Sequence, residues 1–219
     1  MNLLEFKTQN INLYTEIIEK NEYKVEQSEI EGHNVLDIGA NIGFFSLLAL
    51  SFGAKQIISI EPNRESFLKL CENTQHFPQI HPLQFAVHNG LSKTCETSGT
   101  VLTCEVKPSL NGTIPVITLA QAMILFPSDD NNLVLKMDIE GAEFDVLYYA
   151  GGSIIKRFKT IYMEIHDKNQ EKIIALKNFI NFFGYETIHT QVSVWNTCID
   201  GKVISSTPLG QEVIKFERA

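Results

Sequence analysis

The chain has 219 residues, with 18 Lys and Arg against 26 Asp and Glu, a formal net charge of −8 and 44% hydrophobic residues. That length suits one domain with a sizeable core, and that apolar fraction excludes a disordered chain. The acidic balance argues against gripping a phosphate backbone, and no apolar run approaches the ~20 residues that would span a bilayer.

The opening MNLLEFKTQN has no apolar secretory core. The four cysteines, Cys71, Cys95, Cys104 and Cys198, form no C-x-x-C pair. Free thiols in a reducing cytoplasm are the expectation, with a Cys95–Cys104 bridge across a hairpin tip at Ser98–Gly99 as the alternative. A single domain over 1–219 is expected. It would comprise a helical segment at 1–29, a core at 30–190 with an insertion at 88–113, and a β-rich end at 191–219.

In chain order, Ile11, Leu13, Tyr14, Ile17, Ile18 and Val25 trace a short amphipathic helix over 10–23. NVLDIG is a strand running into a glycine turn, and GFFSLLALSFG, apolar nearly all round, is a buried helix ended by Gly53. KQIISIEP is a second strand, and NRESFLKLCENTQ a helix capped by Asn63. HPLQFAV reads as one strand, and the Thr/Ser-rich stretch 88–113 as a loop or hairpin. TLAQAMILF is a short helix, NLVLKMDIE a strand, and AEFDVLYYA a helix closed by Gly151 and Gly152. After the strand FKTIYMEIH, Asp167 and Gln170 form a capping-box pattern before the helix KIIALKNFINFFG. YETIHTQV is a strand, and QEVIKFER an edge strand.

Strands alternating with helices predict an α/β fold, a doubly wound and mostly parallel sheet with helices on both faces. Ligands of such sheets bind beyond the carboxyl ends of the strands. Chemistry is therefore expected just after residues 37, 61, 86, 138 and 165.

In DIGANIG, Gly39 permits a sharp turn, Gly43 a close start to the helix, and the helix-start amides suit an anion. G-x-G-x-x-G is absent, which disfavours an NAD-dependent oxidoreductase. Asp37 is expected to orient this loop and to reach a ligand amine. Glu61, 22 residues after Gly39 at the end of the second strand, is placed to accept bonds from ribose hydroxyls. Together they describe a cleft for a nucleoside joined to an amino acid, as in S-adenosylmethionine. Gln84 and Ala86 are expected at the adenine edge.

Lys136 and Asp138 share one face of the fourth strand, Glu164 and His166 one face of the fifth. Lys136 is expected to pair with Glu164. His166, oriented by Glu164, is the leading proton acceptor, and Asp138 the alternative. Glu140 is a further catalytic candidate, and Glu140 and Glu143 also suit a helix N-terminus. The acids and His166 could also hold a divalent metal, but their spacing does not argue for one, so no metal is expected.

DIGANIGFFSLLAL, ISIEPN, LKMDIEGAEFDVL and IYMEIH, in this order, resemble the FkbM-like S-adenosylmethionine-dependent methyltransferases over about residues 30–185. The resemblance implies the class I methyltransferase fold, with seven strands of which the last is antiparallel. It implies methylation of hydroxyls on small molecules, sugars and secondary metabolites. It assigns Asp37, Gly39, Ala40, Asn41 and Gly43 to the methionine end of the cofactor. Glu61 goes to the ribose and Pro62 and Asn63 to the adjoining rim, while Lys136, Asp138, Glu140, Gly141 and Glu143 match the second signature and Glu164 and His166 the closing one; Asp138, at its strand tip, is expected to line the junction of cofactor and acceptor. The resemblance leaves the catalytic base open. Leu119–Ala120 and Tyr149–Ala150 depart from the family pattern away from the cofactor motif. The expected partner is a small-molecule or sugar acceptor, with no nucleic acid or membrane. The acceptor pocket is assigned to the opening helix, the 88–113 insertion and the 191–210 loop with Trp195, or to a second subunit, which admits a homodimer. The rival readings are a methyltransferase acting on a macromolecule and a cofactor-binding partner subunit without catalysis.

Overall fold

In a computed structural model, which describes residues 3–99, 104–199 and 202–218, the apolar runs of the sequence lie side by side as strands. Side chains at 99, 104–105, 192–199 and 202–211 lie outside the described set, as do Cys104, Cys198 and Trp195 among the sequence expectations. The chain starts with short helical turns, α1 (Ile11–Tyr14), a π-helical turn Thr15–Glu19 and α2 (Gln27–Ile30). Next come β1 (Asn34–Ile38), α3 (Phe44–Ser51), β2 (Gln56–Ile60), α4 (Arg64–Thr74), β3 (Ile80–Leu83) and β4 (Ala86–Val87). β5 (Thr94–Gly99), β6 (Cys104–Pro108), β7 (Ile114–Ile117) and α5 (Leu119–Ala122) lead into β8 (Leu133–Met137) and α6 (Glu143–Ile155). β9 (Phe158–His166), α7 (Gln170–Phe182), β10 (Tyr185–Ile199) and β11 (Lys202–Arg218) complete it.

The main sheet has seven strands in the order β10-β11-β9-β8-β1-β2-β3. β3, β2, β1, β8 and β9 pair in parallel, and β11 is antiparallel to both of its neighbours. Successive side chains point to opposite faces. Leu36, Ile58, Leu135, Ile161 and Ile214 therefore face one core with α5, α6 and α7. Val35, Ile57, Val134, Tyr162 and Val213 face the other, with α3 and the N-terminal segment. Burial on both faces explains why these strands read as continuous apolar runs.

Several local expectations are corrected. QEVIKFER is an interior strand, since Ile214 and Phe216 are fully buried between β9 and β10. HPLQFAV is two strands: the chain leaves the main sheet after Leu83, and Ala86–Val87 pairs with β7. The 88–113 stretch takes the hairpin form, one of its two expected forms, β5 with β6, in a second sheet ordered β4-β7-β5-β6. Cys95 is, as expected, a free thiol, buried within it, its pKa pushed up to about 11 by burial. Gly151 (φ 71°) kinks α6, which resumes to Ile155. Asn169, whose side chain accepts from the amides of Glu171 and Lys172, caps α7 in place of the Asp167–Gln170 box. Asn63 caps α4 as expected. Among the described residues no helix is long and apolar enough to cross a membrane.

Candidate active site

At the tip of β1 the chain turns through Gly39 (φ 74°), Asn41 (φ 51°) and Gly43 (φ 95°). The amides of Gly39 and Ala40 both donate to Ile60 O at the end of β2 (2.9 and 3.0 Å). A Cβ on Gly39 would sit 1.7 Å from Asp138 O, so the turn and the tip of β8 close on each other only with glycine there. At Gly43 a Cβ would meet Leu70 of α4 at 2.7 Å.

Beneath the turn lies a polar knot. Asp37 is fully buried. Its Oδ2 accepts from Ser46 Oγ (2.6 Å), which is 2.7 Å from Ser59 Oγ. Lys136 Nζ donates to Gly39 O (2.7 Å) and lies 3.5 Å from both Asp37 Oδ1 and Asp138 Oδ2. The sequence expectation that Lys136 pairs with Glu164 is corrected: its partners are the two aspartates and the glycine carbonyl. Burial pulls against the Lys136 charge, but Asp138, Asp37 and other nearby acids raise its pKa on balance. Burial raises Asp37, against the pull of Lys136 and Ser46. Asp37 thus lies under the loop and not at the cleft surface, and it acts on the loop through Lys136.

A cleft of about 510 Å³, including its open mouth, lies beside the turn. Its lining includes the polar side chains of Asn41, Glu61, Asp138 and Glu140, with Gly39 and Pro62 beside them. The rest of the lining is apolar: Ile38, Ile60, Phe85, Val87, Val106 and Ile139. Glu61 accepts from the amides of Asn41 (2.9 Å) and Asn63 (2.7 Å). Burial above all pushes its pKa up to about 7 against these two bonds. A carboxylate has about four acceptor sites, so it retains capacity for two hydroxyls. Gln84 and Ala86 do not line the cleft; Gln84 Nε2 reaches Pro62 O (3.5 Å) and Ala86 is buried. Their neighbours Phe85 and Val87 line it instead, a displacement by one residue along an extended chain that reverses the face presented. Ala40, Gly43 and Asn63, also expected at the cofactor, are not among the residues lining the cleft.

The tips of β8 and β9 bring the second cluster together. Tyr23 Oη donates to Asp138 Oδ2 (3.4 Å). His166 Nδ1 is 3.0 Å from Glu143 Oε1, which also accepts from the amides of Ile139 (3.3 Å) and Gly141 (3.1 Å). Glu143, fully buried, therefore orients the imidazole, a role the sequence reading gave to Glu164. Nε2 stands 3.5 Å from Glu140, 3.7 Å from Glu164 and 3.8 Å from Asp138. Burial works against charging the ring, but the bond to Glu143 and the nearby acids raise its pKa to about 9. Burial first, then Asp138, raises Glu164 to about 8. The sequence reading missed Tyr23, Ser46, Phe85, Val87 and Val106. Tyr23 and Val106 lie far along the chain from the motifs and carry no local signal.

The family profile described as Methyltransferase FkbM domain matches residues 37–187. Solved structures share the fold at low identity. A protein of Listeria monocytogenes, proposed to be an S-adenosylmethionine-dependent methyltransferase, is 10% identical, with 92% of this chain and 96% of that one covered and a TM-score of 0.54. A proposed RNA methyltransferase of Pyrococcus horikoshii is 16% identical, covering 91% and 80%, TM-score 0.50. A proposed tRNA methyltransferase of Streptococcus pneumoniae, solved with S-adenosyl-L-methionine, is 11% identical, covering 91% and 72%, TM-score 0.50. No curated protein sequence matches significantly. With the profile spanning more than half of the chain and the strand order of the class I fold beneath it, the chain belongs to the FkbM methyltransferase family and is an S-adenosylmethionine-dependent methyltransferase.

Proposed function

We propose that the acceptor is a hydroxyl oxygen on a small molecule or sugar. The observation that carries this reading is the acid-lined rim, with Asp138, Glu140 and Glu164 around His166 beside the cleft. A hydroxyl must lose its proton as it is methylated, and a carboxylate within reach supplies the acceptor. At a pKa of about 9 the imidazole is already protonated at neutral pH, and Glu164, raised to about 8, is mostly so as well, which leaves Asp138 for this role. The same acids, with a net charge of −8, disfavour a nucleic-acid backbone.

The mixed polar and apolar lining of the cleft supports this assignment of the donor. S-adenosylmethionine supplies a methyl on a sulfonium, whose departure leaves a neutral thioether. In this reading Glu61 receives the ribose hydroxyls, Phe85, Val87 and Val106 flank the adenine, and the Gly39–Asn41 turn takes the methionine end. The chain's part is chiefly to position the two reactants.

Incubation with methyl-labelled donor and a panel of hydroxyl-bearing sugars and small metabolites, beside RNA and protein, tests the acceptor class. Label on a hydroxyl oxygen supports the proposal. Label confined to RNA or protein overturns it, as does a donor that binds without turning over with any acceptor.

Glu61 carries a pH prediction. Only the carboxylate accepts two hydroxyls, and with a pKa raised to about 7 it becomes neutral below neutrality. Donor affinity measured by calorimetry should fall from pH 8 to pH 6, by about tenfold for each pH unit below that pKa. Glu61→Gln should bind about tenfold or more weakly at pH 8, since a bond to a charged group contributes about 1.5–3 kcal/mol. Its affinity should be flat with pH. A sloping Glu61→Gln curve would assign the titration to another group.

A further inference from the structure

We propose that the rim binds one divalent cation, Mn²⁺ or Mg²⁺, through Asp138, Glu140 and His166, with Glu164 alongside. The inference rests on the methyl-transfer reading for the role of the ion, but not for its binding. One ligand atom from each of Asp138, Glu140 and His166 lies within 4.8 Å of the others. The contacts from Nε2 to the three carboxylates, 3.5, 3.7 and 3.8 Å, are longer than the ~2.7–3.2 Å of an N–H···O bond. Ligands bound to a single ion at about 2.1 Å stand about 3.0–4.2 Å apart, so these separations suit a common ion better than direct bonds. Oxygen ligands with one imidazole favour a hard or borderline cation over a thiophilic one.

A second observation comes from the far side of the ring. Glu143 fixes Nδ1 at 3.0 Å, the carboxylate–histidine arrangement that orients a metal-bound imidazole. Glu143 is fully buried and its Oε2 has no hydrogen-bond partner among the described residues. Positive charge on the imidazole, or on an ion at its Nε2, offsets the burial of that carboxylate. Lys136 is engaged with Asp37, Asp138 and Gly39, so the compensation comes through the imidazole and what Nε2 holds. No metal-ligand spacing shows along the chain because the ligands come from two strand tips more than twenty residues apart.

An ion here gives the acceptor oxygen a fixed place beside the cleft. As the new O–C bond forms, the donor's C–S bond breaks, sulfur keeps the electron pair, and the hydroxyl proton passes to Glu164, which the neighbouring cation favours as the carboxylate. Asp138 then serves the ion. This favours acceptors that can present two neighbouring oxygens.

The test is direct binding to chelator-stripped protein: MnCl₂ is titrated by calorimetry and by loss of the free Mn²⁺ electron-spin signal. The wild type should take up one ion per chain. Glu140→Gln and His166→Gln should each weaken uptake at least about tenfold, and Glu143→Gln about 10–100-fold. S-adenosylmethionine binding by the same samples verifies the fold. No saturable uptake of Mn²⁺ or Mg²⁺ by wild type that still binds the donor overturns the ion site and leaves the methyl-transfer reading standing. Equal uptake by the Glu140→Gln/His166→Gln double variant also overturns it. An ion bound at these residues with no hydroxyl acceptor ever methylated supports the site and removes the acceptor reading.

Discussion

Lys136→Met should destabilise the chain by about 3–5 kcal/mol in urea unfolding, because it strands a buried carboxylate. The lysine is 3% exposed and Asp37 not at all. Methionine matches much of the lysine stem, so the loss is that of the charge and its bonds and not of volume. Gly39 O would also lose its donor, loosening the turn at the cleft, and donor affinity should fall with stability. The control is Asp37→Asn/Lys136→Met. Removing both charges should restore at least half of the lost stability, since a neutral pair avoids the cost of an isolated buried ion. A double variant as unstable as the sum of the two singles would show that the Lys136–Asp37 pair is not the coupling element.

The strands that carry this knot were legible because their signal is local. Val35, Leu36, Ile57 and Ile58 announce a sheet covered on both faces, and Asp37, Gly39 and Glu61 stand at strand tips where a parallel sheet must place its chemistry. What was not legible depends on spatial order. Nothing within QEVIKFER says that β11 enters between β9 and β10. Nothing near Lys136 says that β1, and not β9, carries its partner: both neighbour β8, and the choice is made by side-chain reach to Asp37 and Gly39. The adenine-side expectation was displaced by one residue because Gln84 and Phe85 lie where the chain leaves one sheet for another. Strand period alone does not fix the phase there. The orienter of His166 was misplaced for a related reason. Glu164 shares its strand face, but Glu143, arriving from the start of α6, takes Nδ1.

Asp138→Asn should lower kcat by about 10²–10⁴-fold, the range for losing a positioned proton acceptor. Donor affinity should change far less. Asp138 follows β8 directly, lines the cleft, and has its Oδ2 near Tyr23 Oη and Lys136 Nζ. That leaves Oδ1, 3.8 Å from His166 Nε2, as the oxygen on the rim side. Asparagine keeps the shape of the side chain but can neither accept a proton at ordinary pH nor balance a cation. The loss should therefore appear in turnover whether Asp138 takes the proton or holds the ion. Tyr23→Phe separates support from chemistry. The 3.4 Å contact is long for a hydroxyl bond, so its removal should cost no more than about tenfold in kcat. Glu164→Gln distinguishes the two roles of Asp138. In chelator-stripped protein Asp138→Asn should be the more damaging change if Asp138 takes the proton, whereas with Mn²⁺ bound Glu164→Gln should be at least as damaging. Wild-type kcat in Asp138→Asn, with or without Mn²⁺, would remove Asp138 from the reaction and leave it as a counter-ion for Lys136.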